Sequence, residues 1–481
     1  MSVERNIIRV FMKGGIVSPL EMKKVLDSAK KMGNKSIHFG SRQDILFHAD
    51  EDHIAELEED LSKSKIDFIH EKEAERYQNI VTSYVSAGIL PSTNWVTSGT
   101  YLWILEGLSK LTTLRVNIVD PLQNLVPLFH GNLNFIASIH ENYWHLKVKL
   151  PGETHVKTWP VLVFIDDIHQ VVYEFEAAYE SGINEVTELF KTLNLKTDYN
   201  SKNIKEDVVI PLGSFPYYEG VNRMLSGGRQ WIGFYWRNNR YDIDFLEELC
   251  DLCIQTGVAK LSITPWKSFL VKEIGDKDKI LWERLIGRYG INMRHSSVEL
   301  NWHLPVLDDE ALALKTYIVK QFDQVDIRTF GLTFSIGTKV SDTFTSILIR
   351  EDDSPSLRKT YQVLVTNNFG LNSTQYNVVD SKLSKRKIPE VLMELCKNYY
   401  AKLGEETVDI IPEKLILEEI KEAVYQCTDC LSIYDEQIGD STQGIIEGTA
   451  FNELPESYAC STCEASKSKF ERTEIVSDFI R

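Results

Sequence analysis

Four cysteines toward the C-terminal end have the types and spacing to do chemistry. Cys427 and Cys430 form one Cys-x2-Cys pair, Cys460 and Cys463 form a second, and the stretch from Leu431 to Ala459 separates them. Two intervening positions let both sulfurs of a pair reach one ion while backbone N–H groups turn toward them. Two such pairs make a closed tetrahedral thiolate site, which suits zinc or a single iron. Structural zinc sites usually space their pairs by about 15–20 residues, so this gap is long for one. In a reducing cytoplasm, paired Cys-x2-Cys motifs read as metal or redox sites rather than disulfides. The other three cysteines, Cys250, Cys253 and Cys396, sit in apolar-periodic helical stretches and read as small buried hydrophobes.

The segment between the pairs must position the sulfurs. Tyr425, Tyr434, Phe451, Tyr458 and Phe470 are its candidate core, and so small a core needs a metal to fold at all. Further landmarks are Ile433–Asp435, Gly439–Ile445, Gly448–Phe451, Leu454–Pro455 and Lys467–Phe470. With these, the tail from Tyr425 to Phe470 resembles rubredoxin along its whole length. The resemblance implies one iron ion cycling between Fe2+ and Fe3+ in four-cysteine coordination, with no open position for a substrate. Leu431 and Glu464 stand where rubredoxins usually carry glycine, Ser461 where they carry proline, and Tyr458 where they carry tryptophan. Glu464 would put a carboxylate near the iron and disfavour the more negative reduced state. A structural zinc ribbon is the rival reading of the same four residues. From Val424 to Glu471 there are nine acidic and two basic side chains, a net of −7, which concentrates acidity where a partner would dock.

The elements around this tail are those of an ordinary globular chain. Its 481 residues suggest three or four domains. A net charge of −17 argues against nucleic acid, whose phosphates need a basic surface. It suits docking on a basic patch of a partner, or simple solubility. No run approaches the roughly 18 apolar residues of a membrane helix. The opening MSVERNIIRVFMKGG lacks the apolar core of a signal peptide, so the expected compartment is the cytoplasm.

An internal repeat precedes the tail. At a constant offset of 224, Gly33 meets Gly257, Ile37 meets Leu261, Phe39 meets Ile263 and Leu46 meets Leu270. Each copy reads strand–helix–turn–strand, with the glycine where a helix ends in a left-handed residue. The offset places Cys250 and Cys253 on Leu26 and Ala29, the inward face of the helix. Longer α/β stretches follow each copy.

The stretch 1–403 resembles the siroheme nitrite and sulfite reductase family, which has this half–large–half–large order. Ser41-Arg42-Gln43 is close to the family's Thr-x-Arg-Gln, and Asn79-Ile80-Val81-Thr82-Ser83 to its Asn-Val-x-x-Ser. In Leu114–Ile118, only Arg115 keeps a charge where the family has two lysines. The resemblance therefore implies a vestigial siroheme-type pocket of Arg42, Gln43, Asn79 and Arg115. The plainer readings are a solvated or strand-end arginine for Arg42 and local backbone hydrogen bonding for Gln43 and Asn79. The family's four cluster cysteines are missing. The Gly-Cys-Pro-x-x-Cys-Gly motif aligns with Gly331–Gly337, where Leu332 and Ile336 replace the ligands. Leucine and isoleucine cannot hold a 4Fe-4S cluster. Siroheme and the cluster are therefore expected to be absent, with Phe330, Leu332, Phe334 and Ile336 packed into the vacated space.

The expected fold is α+β: duplicated ferredoxin-like half domains and α/β reductase-like domains with pseudo-twofold symmetry, plus a small C-terminal rubredoxin metal domain. The expected boundaries are half domains at 1–75 and 221–295, reductase-like α/β domains at 76–220 and 296–403, a linker at 404–423 ending in a short helix, and the rubredoxin domain at 424–471. The expected function is electron transfer through redox partner proteins, a reductase donor and an oxidoreductase acceptor of nitrate, nitrite or sulfite assimilation. The alternatives are a siroheme-binding nitrite/sulfite reductase-like enzyme fed by its own rubredoxin, and a zinc-ribbon protein.

Overall fold

Residues 36–49 and 261–274 form the same hairpin twice. In the first copy strand Ser36–Phe39 pairs with Asp44–Ala49; in the second, Leu261–Thr264 pairs with Ser268–Ile274. The computed structural model describes the chain except residues 1–5, 71–79, 111, 154, 195–198, 338–342, 353–358, 406–420, 437 and 477–481. It divides the chain into two units, Met1–Ala401 and Lys402–Arg481.

The helix before each hairpin is set by repeated punctuation. Helix Pro19–Lys31 begins with a capping box: the Glu21 N–H donates to the Ser18 hydroxyl, and the Ser18 N–H donates to the Glu21 carboxylate. Helix Ile243–Thr256 begins at Asp242, the counterpart of Ser18 in the repeat, whose carboxylate accepts from the Phe245 N–H. Both helices end at left-handed glycines, Gly33 with φ 77° and Gly257 with φ 74°. Their inward faces share one core in which Val25, Leu26 and Ala29 lie with Leu249, Cys250 and Cys253. Cys250 and Cys253 are fully buried, and burial pushes the Cys250 thiol up to about 12 and raises that of Cys253 as well. Both behave as core hydrophobes.

The two sheets are completed by exchange. Strand Ile16–Val17, ahead of the first helix, pairs with Leu261–Thr264 of the second copy. Strand Tyr241–Asp242, ahead of the second helix, pairs with Ser36–Phe39 of the first. The pairs Val17↔Leu261 and Tyr241↔Ile37 are images of each other under the offset of the repeat. Neither half domain therefore closes its own edge.

The larger stretches are duplicated too, though with insertions that hide any constant offset. Ile80–Thr82, Val116–Val119 and Leu133–Ala137 run parallel, and Tyr143–Val148 and Val161–Phe164 follow antiparallel. In the second sheet, Trp302–His303, Phe334–Ile336 and Ile347–Glu351 run parallel, followed antiparallel by Tyr361–Thr366 and Tyr376–Leu383. Each sheet covers its own apolar core. A further cluster, which includes Val119, Trp231, Trp266, Leu300 and Phe344, joins the halves at the centre of the unit. Among the described residues no helix is long and apolar enough to cross a membrane.

The linker expected at 404–423 lies mostly outside the described residues. Its last three positions, 421–423, belong to strand Lys421–Cys427 and not to a short helix, because they pair in register with the strand Phe470–Val476. Replacing Cys250 and Cys253 together by alanine is expected to destabilise the body by about 1–3 kcal/mol through lost core volume. Thermal melting measures that loss, and the iron content per chain should stay unchanged.

Candidate metal centre

The second unit is built around the sulfurs. Strand Lys421–Cys427 lies between Ile433–Tyr434 and Phe470–Val476, antiparallel to both, and ends on Cys427 opposite Phe470. Tyr434, Phe451, Leu454 and Tyr458 form its core, with Tyr425, Ile445 and Phe470 packed against them. The rings of Tyr425 and Phe451 stack at 4.0 Å. The Lys467 ammonium donates to the Leu454 carbonyl at 2.6 Å, and the Tyr458 hydroxyl donates to the Asp440 carboxylate at 3.1 Å. All five aromatics expected in the core are there.

The two cysteine loops are near copies. In the first, the Leu431 N–H donates to the Cys427 carbonyl and the Cys427 N–H to the Ser432 carbonyl, at 2.9 and 2.8 Å. In the second, the Glu464 N–H donates to the Cys460 carbonyl and the Cys460 N–H to the Ala465 carbonyl, at 2.8 and 2.7 Å. The backbone N–H groups of Ser432 and Ala465 point at the sulfurs of Cys430 and Cys463. Each loop turns through a left-handed residue, Leu431 with φ 63° and Glu464 with φ 60°. Glycine takes this conformation without strain, whereas an L side chain there costs about 1–2 kcal/mol.

All four sulfurs lie within 4.8 Å of one another. Cys427 Sγ is 3.7 Å from Cys463 Sγ, and Cys430 Sγ is 3.5 Å from Cys460 Sγ. A tetrahedron with metal–sulfur bonds of about 2.3 Å has edges of about 3.8 Å, so the four sulfurs fit one tetrahedral ion. Cys427 and Cys460 are buried, Cys430 is half-buried and Cys463 is exposed. The Ser432 side-chain hydroxyl, and then its N–H, pull the Cys430 thiol down to about 6, toward the thiolate a metal requires. The sequence does not single out Ser432 or its neighbour Thr462. The only local signal is a serine two positions after a ligand.

Arg42 is buried and donates to the Asn117 side-chain oxygen at 2.9 Å and to the Val116 carbonyl at 3.1 Å. Gln43 exchanges two hydrogen bonds with the backbone of Thr82, at 3.0 and 2.9 Å, and so clamps the half domain to strand Ile80–Thr82. Arg115 is half-buried, and Asn79 lies outside the described residues. Burial and the charges of Arg42, Arg115, His303 and Lys149 hold His130 well below its ordinary pKa. Phe344 packs on His130, His303 and Trp266, with ring centroids 4.6, 4.5 and 5.0 Å away.

Leu332, Phe334 and Ile336 are buried together with Phe322 and Cys396. Phe330 departs from expectation. It is 63% exposed and its ring stacks on Tyr217 at 4.4 Å. The cause is Gly331, whose φ of 86° turns the chain outward and whose N–H donates to the Tyr217 hydroxyl.

Comparison with known proteins agrees with this geometry. The rubredoxin family model matches residues 424–470, and that of the nitrite/sulfite reductase ferredoxin-like half domain matches residues 3–64. The tail is 48% identical over 48 residues to the high molecular weight rubredoxin of Moorella thermoacetica, covering 10% of this chain and 21% of that protein's length. It is 40% identical over 52 residues to rubredoxin 4 of a Rhodococcus species, covering 11% of this chain and 87% of that one. It is 43% identical over 51 residues to rubredoxin-1 of Alcanivorax borkumensis, covering 11% and 94%. The solved structure of the Mycobacterium tuberculosis NirA protein superposes with a TM-score of 0.63 at 15% identity, covering 82% of this chain and 80% of that one. That likeness is one of fold.

Removing the backbone strain of the cysteine loops should be measurable. Leu431→Gly is expected to stabilise the metal domain by up to about 1 kcal/mol, as relieved strain outweighs added backbone entropy. Leu431→Val, β-branched at the same left-handed position, should destabilise it. Thermal loss of the bound metal ranks the three proteins.

Proposed function

Because the chain belongs to the rubredoxin family through its C-terminal domain, we propose that it is a one-electron carrier serving an oxidoreductase of nitrate, nitrite or sulfite assimilation in the cytoplasm. One observation carries this reading: the four cysteine sulfurs lie within 4.8 Å of one another, close enough to hold one tetrahedral ion. Iron bound by the four thiolates supplies a one-electron couple. The residues do the rest. Cys427 and Cys460 seat the ion in the protein, while half-buried Cys430 and exposed Cys463 give electrons a short way out. The surrounding net charge of −7 favours a partner with a basic docking face. The body, with the fold of NirA, would serve as the docking module, and the pathway assignment rests on that likeness.

The fold similarity also favours a second reading, in which siroheme binds in the body and the rubredoxin domain feeds it. Against it stand Arg42 and Gln43, whose hydrogen bonds go to the protein's own backbone and to Asn117, and Phe344, which fills the centre between His130 and His303.

Purified protein from iron-replete cells is expected to be red and to carry one iron per chain. Acid-labile sulfide should be near zero in the parent already, and replacing Cys427, Cys430, Cys460 and Cys463 together should bring the iron close to zero as well. Stoichiometric zinc without visible absorbance would refute the carrier. Tetrapyrrole bands persisting in the four-cysteine variant would establish the siroheme reading instead.

A further inference from the structure

The Ser432 hydroxyl oxygen lies 3.2 Å from Cys430 Sγ and 2.8 Å from the Thr462 hydroxyl oxygen. Ser432 belongs to the first cysteine loop, and Thr462 sits between the two cysteines of the second. The hydroxyl pair therefore crosses from one loop to the other beside a ligand sulfur. A cysteine bound to a metal is a thiolate and can only accept a hydrogen bond. With its sulfur protonated, Cys430 donates to the Ser432 oxygen and the Ser432 O–H donates to Thr462; once the sulfur is a thiolate, the Ser432 O–H turns to it and the Ser432 oxygen accepts from the Thr462 O–H.

We propose that Ser432, oriented and polarised by Thr462, donates an O–H···S hydrogen bond to the Cys430 thiolate and thereby raises the reduction potential of the iron; the inference rests on the iron-carrier reading above. The electron balance is simple. Fe3+ takes one electron from a reduced redox protein in the cell, or from dithionite in a cuvette, and becomes Fe2+. No bond breaks and no proton leaves. The iron with its four thiolates passes from one negative charge to two, and much of the added charge falls on sulfur. A donor aimed at sulfur therefore favours the reduced form more than the oxidised one. The effect opposes that of Glu464, whose exposed carboxylate repels the added charge. The two side chains set the potential from opposite directions.

The test uses the full iron-loaded chain and compares Ser432→Ala, Ser432→Thr and Thr462→Val with the parent. The readouts are the midpoint potential and the iron–sulfur stretching frequencies in water and in heavy water. Ser432→Ala is expected to lower the ratio of Fe2+ to Fe3+ at a fixed donor potential about fivefold to tenfold, about 40–60 mV for one electron. Ser432→Thr, which keeps the hydroxyl, should restore the parent value, and Thr462→Val should give a smaller drop in the same direction. The parent and Ser432→Thr should show a deuterium shift that Ser432→Ala lacks. An unchanged potential and isotope shift in Ser432→Ala would overturn the proposal, even if iron is lost more readily on heating, because the pair would then only staple the loops. Should Ser432→Ala fail to hold iron, Thr462→Val decides, since the Thr462 hydroxyl acts only through Ser432; a potential equal to the parent's refutes the relay. A parent without iron refutes the carrier reading itself, and is seen before any variant is made.

Discussion

Each half domain of the body leaves one strand position open, and the other half fills it. Ile16–Val17 and Tyr241–Asp242 are very short strands, yet without them two sheet edges would face the interior with unpaired N–H and C=O groups. The exchange fixes the two helices face to face over one core and sets the pseudo-twofold axis. From that axis follow the paired left-handed residues Gln43 and Lys267, which occupy equivalent hairpin turns in the two copies. They now do different things. Gln43 clamps its turn to Thr82 of the neighbouring sheet. Lys267 is buried near Asp44 and Arg9, and burial pushes its pKa down to about 7. The symmetry is one of backbone, and the side chains on it have diverged.

The metal domain solves a different problem. Tyr434, Phe451, Leu454 and Tyr458 are too few to hold the whole segment against the entropy of the chain. Four sulfurs bound to one ion supply the missing free energy, and the same bonds define the redox site. That the two loops carry Leu431 and Glu464 in place of glycine means the domain carries backbone strain next to its ligands. The strain is small beside the metal bonds.

Much of this is legible in the sequence, for local reasons. The half-domain repeat keeps a constant offset, so apolar positions, caps and glycines can be matched one by one. The cysteine pairs are short motifs whose spacing states their purpose. The strand exchange leaves no trace, because its partners lie far apart along the chain and such short strands have no periodicity to read. The second duplication is blurred by insertions. Ser432 and Thr462 are silent because a hydroxyl's meaning depends on a distant partner on another loop. Phe330 reads as an inward residue because pattern alone cannot tell which way a chain leaves a left-handed glycine.

The strands Lys421–Cys427 and Phe470–Val476 pair in register from Lys421↔Val476 to Cys427↔Phe470. The chain therefore enters and leaves the metal domain side by side. Tension along the polypeptide would pull these strands apart like a zipper, opening one pair at a time from the outer end. Cys427 is the last position to yield, so the ligand set is mechanically shielded by the ladder outside it. Traction on the domain's two ends would be spent on that ladder before any of it reached a sulfur.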